Sequence, residues 1–391
     1  MLFVFQLIYH SICQKPIFLV PGLLGSILHG SVTEKKRWYC PTFQDQDVWI
    51  NKMLTVPPVF NCLFDFVGLQ WNNNTNEPEQ VKDVNLSIVD FGGLNGVSFF
   101  DTPLLGMSFV PYYKPLINKL KTQFQYEERI DLFGIPFDWR FGVHQKSDYF
   151  EKIRQQVEDA FYLNHNEKAI MIGHSMGCYL LDVFLMNYTT AEWRNKFVDK
   201  VILLAPSFGG SFSAFYSLWT KRPPVVSILG TFPDTIGTMG GIHAHMPNYD
   251  IFENDILLIE KDGQPKYAKD LVEVLIENGK INHDMNKILG VHEKWFSQKP
   301  SPIDLPVKIV YNSGLKTPKI LNLTNDKEEI INGKGDGIVN AEGPEYVCSY
   351  WNDIECLDLN SNGLIGSDHI SMLYSDKTLN FILEQIDETL I

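Results

Sequence analysis

Basic residues and cysteines are both scarce in this chain. Its 391 residues include 33 Lys and Arg against 47 Asp and Glu, for a formal net charge of −14 at pH 7. Nucleic-acid binding requires a basic patch, so this balance argues against such a partner and against attachment to an anionic membrane by charge. The 6 cysteines lack zinc-site spacing, and no nucleotide, flavin or calcium motif is present. The sequence therefore predicts no cofactor and no metal, since His243 and His245 alone are too few ligands.

Long hydrophobic runs are absent after the first residues. The stretch Met1 to Cys13 is apolar, lacks a basic start and is too short to cross a bilayer, which takes about 20 apolar residues. We interpret residues 1–13 as a minimal secretory signal cleaved near Cys13, which leaves residues 14–391 as the mature domain. The alternative is a buried N-terminal strand of a cytosolic enzyme.

Two features favour the secretory pathway. Acceptors of the Asn-x-Ser/Thr type for glycosylation occur at Asn73, Asn85, Asn187 and Asn322. If Cys13 leaves with the signal and Cys178 is buried, the remaining cysteines can close short loops that lower the entropy of the unfolded chain. The pairs that make sense are Cys40–Cys62 and Cys348–Cys356.

The most informative segment surrounds Ser175. An apolar stretch from Ala169 to Ile172 is followed by Gly173-His174-Ser175-Met176-Gly177 and then by an amphipathic helix. This is the context of a nucleophile elbow, in which glycines beside the serine avoid clashes with neighbouring backbone. We predict that Ser175 is a nucleophile, and the alternative is a structural turn.

A serine nucleophile needs a base, and the base needs an orienting carboxylate. In α/β-hydrolases the chain order is Ser, acid, His. His369 lies just before a predicted C-terminal helix, and Asp336 lies between two glycines after a strand-like segment. Gly-Asp-Gly is also ordinary turn chemistry. Asp368 is a rival acid, but the neighbour of a histidine rarely reaches its ring nitrogen. We predict the triad Ser175, Asp336 and His369.

An oxyanion hole needs backbone N–H groups aimed at the developing negative oxygen. One donor should be the amide of Met176, directly after the nucleophile. The other should come from the loop Pro21-Gly22-Leu23, which follows an apolar strand, and the amide of Leu23 is the candidate. An ordinary strand-ending turn is the alternative for this loop.

Strands alternate with helices along the chain, which predicts an α/β fold with a mostly parallel sheet flanked by helices. Strands are predicted at Ile17–Val20, Ile130–Gly134, Ala169–Ile172, Val201–Ala205 and Val307–Tyr311. Helices are predicted at Tyr113–Gln123, Asp148–Asn164, Met176–Tyr188 and Thr378–Leu390. Residues about 35–90 and about 211–299 break this rhythm and are rich in aromatics. We interpret both as insertions, which either cover a site for a hydrophobic substrate or form the packed core of a cap.

These segments resemble the lecithin–cholesterol acyltransferase family over most of the chain, from Pro16 to about Asp376. The similar segments are the Val20-Pro21-Gly22 loop, the loop with Cys40, Trp49 and Cys62, Asp138-Trp139-Arg140, the elbow, Leu204 to Ser211, and the acid and base segments. The chain departs from the family at Tyr311, where the family has the cysteine of its second disulfide, so Cys348 lacks that partner.

The resemblance implies an α/β-hydrolase fold with a disulfide-bounded, membrane-contacting insertion and a lid within Phe215 to Met246. It implies that Ser175 takes an acyl chain from a glycerophospholipid and passes it to water or to a lipid alcohol such as a sterol or diacylglycerol. Trp49 would contact the lipid, and Asp138 and Arg140 would brace the site.

The resemblance also implies a phospholipid membrane or lipoprotein-like surface as the partner. The protein would act as a monomer that is secreted or held in a lysosomal or vacuolar lumen. A function of a different class is a catalytically silent α/β-hydrolase scaffold used for binding, because a fold alone does not fix function.

Overall fold

The computed structural model describes residues 14–56, 58–102, 107–223, 235–324, 327–363 and 365–386. The predicted signal at residues 1–13 lies outside the described residues, as do the last residues of the predicted C-terminal helix and part of the predicted lid. Within the described ranges, no helix combines the length and the hydropathy needed to cross a membrane.

Strands and helices alternate through most of the chain. The strands are β1 (Ile17–Val20), β2 (Leu28–Val32), β3 (Phe43–Trp49), β4 (Leu69–Asn72), β5 (Glu77–Gln80), β6 (Val84–Ile88), β7 (Leu132–Gly134), β8 (Ala169–His174), β9 (Val198–Leu204), β10 (Leu258–Ile259), β11 (Pro265–Lys266), β12 (Val307–Tyr311), β13 (Leu315–Asn322), β14 (Glu329–Gly335) and β15 (Ile354–Asp358). The helices are α1 (Phe60–Val67), α2 (Asn95–Ser98), α3 (Lys114–Gln123), α4 (Ser147–Leu163), α5 (Met176–Tyr188), α6 (Ala191–Phe197), α7 (Phe212–Thr220), α8 (Gly240–His243), α9 (Leu271–Glu277), α10 (His283–Phe296), α11 (Glu342–Tyr350) and α12 (Asp376–Ile386).

The central sheet is 6-stranded, with the order β15-β12-β9-β8-β1-β7, and its neighbouring strands are parallel. Alternate residues of each strand face opposite hydrophobic cores. In β1, Ile17 and Leu19 share a core with α3 and α12, whereas Phe18 and Val20 share one with α4 and α5. Burial of both faces explains why these strands are continuous apolar runs. The prediction of a mostly parallel sheet flanked by helices is confirmed.

Two features of the sheet were not predicted. Strand β15 is an edge strand that pairs with β12 and is partly exposed, so its sequence carries no apolar run. The antiparallel hairpin β13–β14 stands between β12 and Asp336. The acid therefore lies at the end of a hairpin rather than on the loop directly after β12.

The two predicted insertions contain smaller sheets and helices. Residues 35–90 hold the β4–β5 hairpin, α1, and strands β3 and β6, which pair with β2. Residues 211–299 hold helices α7 to α10, and β10 and β11 from this region join the hairpin β13–β14. Both predicted disulfides are formed: Cys40–Cys62 closes a loop of the first insertion, and Cys348–Cys356 joins α11 to β15.

A buried ion pair joins the first insertion to the main sheet. Arg140 is fully buried, and its guanidinium donates to both carboxylate oxygens of Asp138 at 2.9 and 2.6 Å. The same guanidinium donates to the side chain of Gln80 at 3.2 Å and to the carbonyl of Leu86 at 3.4 Å. One cation thus holds β5 and β6 against the segment that follows β7.

We expect Arg140→Ala to lower the free energy of unfolding by about 3–5 kcal/mol, because it leaves the Asp138 carboxylate without its cation. Urea unfolding measures this loss. Arg154→Ala is the matched control, since its ion pairs with Glu151 and Glu158 are largely exposed and should contribute little. If both variants lost the same free energy of unfolding, the buried Arg140–Asp138 pair would not have the stabilising role given to it here.

A buried carboxyl group lies on α5. Asp182 is buried, and its Oδ1 has no hydrogen-bond partner among the described residues. Burial disfavours the charged form and raises the pKa of Asp182 to about 8. Between pH 4 and pH 8 the folded chain therefore holds a proton that the unfolded chain has released, and this group makes stability fall as pH rises.

Asp182→Asn should therefore gain stability relative to the natural chain as pH rises, by about 1.4 kcal/mol per pH unit between pH 5 and pH 7. Urea unfolding of both proteins at several pH values measures the difference. Other groups also make stability depend on pH, but their contributions are the same in both proteins and cancel in the difference. His292 is one of them: burial lowers its pKa to about 4, so its contribution to the stability of the fold decreases as pH falls. A pH-independent difference would refute the prediction.

Candidate active site

Ser175 stands in a strained turn between β8 and α5. Its backbone has φ 55° and ψ −121°, a conformation that L-residues rarely adopt. A Cβ at Gly22 would lie 2.8 Å from the Cβ of Ser175, and one at Gly177 would lie 2.4 Å from the carbonyl oxygens of Val20 and Pro21. Both positions therefore require glycine, and the loop after β1 packs directly against the serine.

Three predicted side chains form a continuous hydrogen-bonded line. His369 Nε2 lies 2.8 Å from Ser175 Oγ, and His369 Nδ1 lies 2.7 Å from Asp336 Oδ2. The other carboxylate oxygen of Asp336 accepts the amides of Ile338 and Val339 at 3.0 and 2.8 Å. Because a carboxylate only accepts, Nδ1 carries the imidazole proton and Nε2 faces the serine hydroxyl with a lone pair. This arrangement can remove a proton from Ser175.

The rival carboxylate has a different role. Asp368 Oδ1 accepts the amides of Ile370 and Ser371, both at 3.1 Å. It therefore caps the turn that carries His369.

Tyr112 and His174 lie behind the triad, and nothing in the sequence indicated that they support it. Tyr112 Oη accepts the amide of Gly22 at 2.7 Å, so its own proton goes to His174 Nδ1, at 2.5 Å. His174 Nε2 then donates to the backbone carbonyl of His369 at 2.9 Å. Burial and the nearby His369 hold the pKa of His174 well below its usual range, so this imidazole stays neutral. The pair links the loop after β1 to the backbone of His369.

Leu23, Ser175 and His369 open onto one cavity. Its remaining lining residues are Ser207, Ser211, Ser213, Ala214, Ile242, His245, Ile338 and Val339. Leu23, the predicted second oxyanion donor, lines the same cavity as Ser175, and Met176, the predicted first donor, is the first residue of α5. The site combines an apolar wall with a few hydroxyl and imidazole groups.

A second serine–histidine pair lies in this cavity. His245 Nε2 is 2.7 Å from Ser207 Oγ. In the sequence His245 attracts attention only as half of a histidine pair with His243. No group of three or more His, Cys, Asp or Glu side chains in the described ranges is placed to hold a metal ion.

The structure corrects the placement of Trp49. Its side chain is 1% exposed, its indole N–H donates to the carbonyl of Leu24 at 2.8 Å, and its ring meets that of Trp139 edge-on at 5.0 Å. Trp49 therefore braces the loop after β1 and does not face a lipid surface. In and beside the disulfide loop, the exposed large apolar side chains are Trp38, Met53 and Val56, at 86%, 65% and 55%.

The predicted glycosylation acceptors lie at or near the surface. Asn73, Asn85 and Asn187 are exposed, whereas Asn322 is half-buried and its Oδ1 accepts from the Thr324 amide.

Comparisons with known proteins agree with this architecture. The family model described as lecithin:cholesterol acyltransferase matches residues 43–220. The lysosomal phospholipase A and acyltransferase of Bos taurus is 22% identical over 94% of this chain and 91% of its own length. The phosphatidylcholine-sterol acyltransferase of Mus musculus is 23% identical over 94% and 84%.

The fold is also found among solved structures. A chain of the Tle4–Tli4 complex is 10% identical, with a TM-score of 0.52 over 93% of this chain and 96% of that chain. The matched sequence segments and the α/β-hydrolase architecture point in the same direction. This chain is similar to the lecithin:cholesterol acyltransferase family over residues 43–220 and to its phospholipase and acyltransferase relatives over most of its length.

Proposed function

We propose that this protein is a serine-dependent lipid acyltransferase and phospholipase A that acts on glycerophospholipids through an acyl-enzyme. The observation that carries the proposal is the hydrogen-bonded line from Ser175 through His369 to Asp336. The names of the relatives, which are phospholipase A and acyltransferase enzymes, support the same class of reaction. An intact line of this kind disfavours the alternative of a silent binding scaffold.

The first half of the reaction would form the acyl-enzyme. His369 Nε2 takes the proton of Ser175 as Oγ attacks the ester carbonyl of the phospholipid, and the amides of Leu23 and Met176 receive the negative oxygen. His369 then returns the proton to the departing lysophospholipid. Asp336 holds the imidazole in the required tautomer throughout.

The second half would transfer the acyl chain to an acceptor. Water gives a free fatty acid, and a lipid alcohol gives a new ester. His369 acts again as base and then as acid.

The surface near the disulfide loop supports contact with a lipid surface. The exposed apolar side chains Trp38, Met53 and Val56 would enter it. The net charge of −14 makes such contact hydrophobic rather than electrostatic. We further propose a monomer in the secretory pathway, either secreted or held in a lysosomal or vacuolar lumen. The two disulfides and the surface Asn-x-Ser/Thr acceptors support this location.

Incubation with phosphatidylcholine vesicles that contain a sterol and diacylglycerol tests the proposal. We expect free fatty acid, acylated alcohol or both, together with lysophospholipid. A fluorophosphonate probe should label Ser175. The absence of both lipid products and labelling would favour the silent scaffold.

A further inference from the structure

The Ser207–His245 pair has a defined hydrogen-bond polarity. His245 Nδ1 bonds the carbonyl oxygen of Gly241, which can only accept, so Nδ1 carries a proton. Burial lowers the pKa of His245 to about 4, so the ring is neutral above that pH and Nε2 is an acceptor. The Ser207 hydroxyl must therefore donate its proton to Nε2, at 2.7 Å. The hydroxyl oxygen of Ser207 can then still accept a hydrogen bond from another group.

The neighbouring serines of the cavity are committed to the fold. Ser211 and Ser213 both donate to the carbonyl of Ile338, and Ser211 also accepts the amide of Ser213. By contrast, within the described ranges no protein group is seen to donate to the hydroxyl oxygen of Ser207, whose hydrogen bond is the one to His245. Ser207 lines the same cavity as Ser175 and His369. A ligand with a spare O–H hydrogen can therefore bond to it.

We propose that Ser207, oriented by His245, positions the water that hydrolyses the acyl-enzyme and so sets the balance between hydrolysis and transfer. Water has two hydrogens, one for His369 Nε2 and one for Ser207 Oγ. An alcohol with a single hydroxyl has only the hydrogen that His369 must take. Ser207 therefore favours water over such an acceptor.

The step balances without any other reactant. The water oxygen bonds to the acyl carbon of the Ser175 ester while its first proton moves to His369 Nε2. The bond from the acyl carbon to Ser175 Oγ then breaks, and Oγ takes that proton. The fatty acid leaves with the second hydrogen of the water on its carboxyl group, from which it dissociates. This inference rests on the proposed function, because it assumes an acyl-Ser175.

Product partition in phosphatidylcholine vesicles with a fixed amount of methanol tests the inference. We expect Ser207→Ala to lower the ratio of fatty acid to fatty acyl methyl ester by about two- to tenfold, the effect of one neutral hydrogen bond. Ser207→Thr keeps the hydroxyl and should restore the ratio. His245→Phe should shift the ratio in the same direction, and Ser207→Ala should add little in that background.

Ser217→Ala is the matched control. Ser217 is a buried serine of α7 that does not line the cavity, and its hydroxyl donates to the backbone carbonyl of Ser213 within the helix, so the ratio should stay at the natural value. An unchanged ratio in both Ser207→Ala and His245→Phe, with Ser175 still labelled by a fluorophosphonate, would overturn the inference. A natural protein that forms neither product would instead refute the proposed function.

Discussion

Replacement of Ser175 by alanine is expected to lower the rate of acyl release from phospholipid by about 10⁴–10⁶-fold, because the acyl-enzyme can no longer form. Ser175 is the group that His369 faces, at 2.8 Å, and it lies beside the predicted oxyanion amides. Lysophospholipid and fatty acid release from labelled vesicles measures the loss. Fluorophosphonate labelling should disappear in parallel.

Cys178→Ala is the control for this experiment. Its thiol lies on the same helix, is buried and donates to the carbonyl of Leu204, and burial raises its pKa, so it is not a competing nucleophile. This variant should retain both activity and labelling. Activity that survives in Ser175→Ala but falls in Cys178→Ala would end the serine mechanism.

Asp336→Asn should cost about 10⁴-fold in kcat while the fold is retained. Oδ1 of this residue accepts the amides of Ile338 and Val339, so the asparagine oxygen will keep that place. Its NH₂ group then points at His369 Nδ1 and forces the proton onto Nε2. In that tautomer the imidazole cannot accept the proton of Ser175. Steady-state kinetics measures the loss, and thermal unfolding checks the fold.

Asp368→Asn separates the two candidate acids. Its carboxylate accepts the amides of Ile370 and Ser371 in the turn beside His369, so its loss should affect kcat far less than that of Asp336→Asn. A larger loss in Asp368→Asn would mean that the wrong acid has been chosen.

The sequence was informative where one local segment carries both structure and chemistry. A buried parallel strand must be apolar on both faces, and a strand-to-helix turn that exposes a serine needs small neighbours, so β8, the elbow and α5 could be predicted together. The bounds of Met176–Tyr188 match the prediction because the helix begins at the turn itself. Chain order then selected His369 and Asp336.

Contacts between distant residues could not be predicted in this way. Tyr112 and His174, and likewise Ser207 and His245, are ordinary side chains in the sequence and acquire a role only through a partner far along the chain. Trp49 shows a different error: the resemblance implied contact with a lipid surface, whereas the fold buries this side chain as packing. The burial of a side chain depends on which distant segments cover it, and local sequence does not carry that information.

The backbone conformation at Ser175 affects the entropy cost of substrate binding. The positive φ and the close approach of Gly22 fix the direction of the Cα–Cβ bond, and the hydrogen bond to His369 Nε2 then holds the hydroxyl. The reacting oxygen is therefore preorganised before any lipid arrives, and little orientational entropy is lost at that atom when the ester docks. The folding free energy of the whole sheet, rather than the affinity for substrate, bears the strain of that turn.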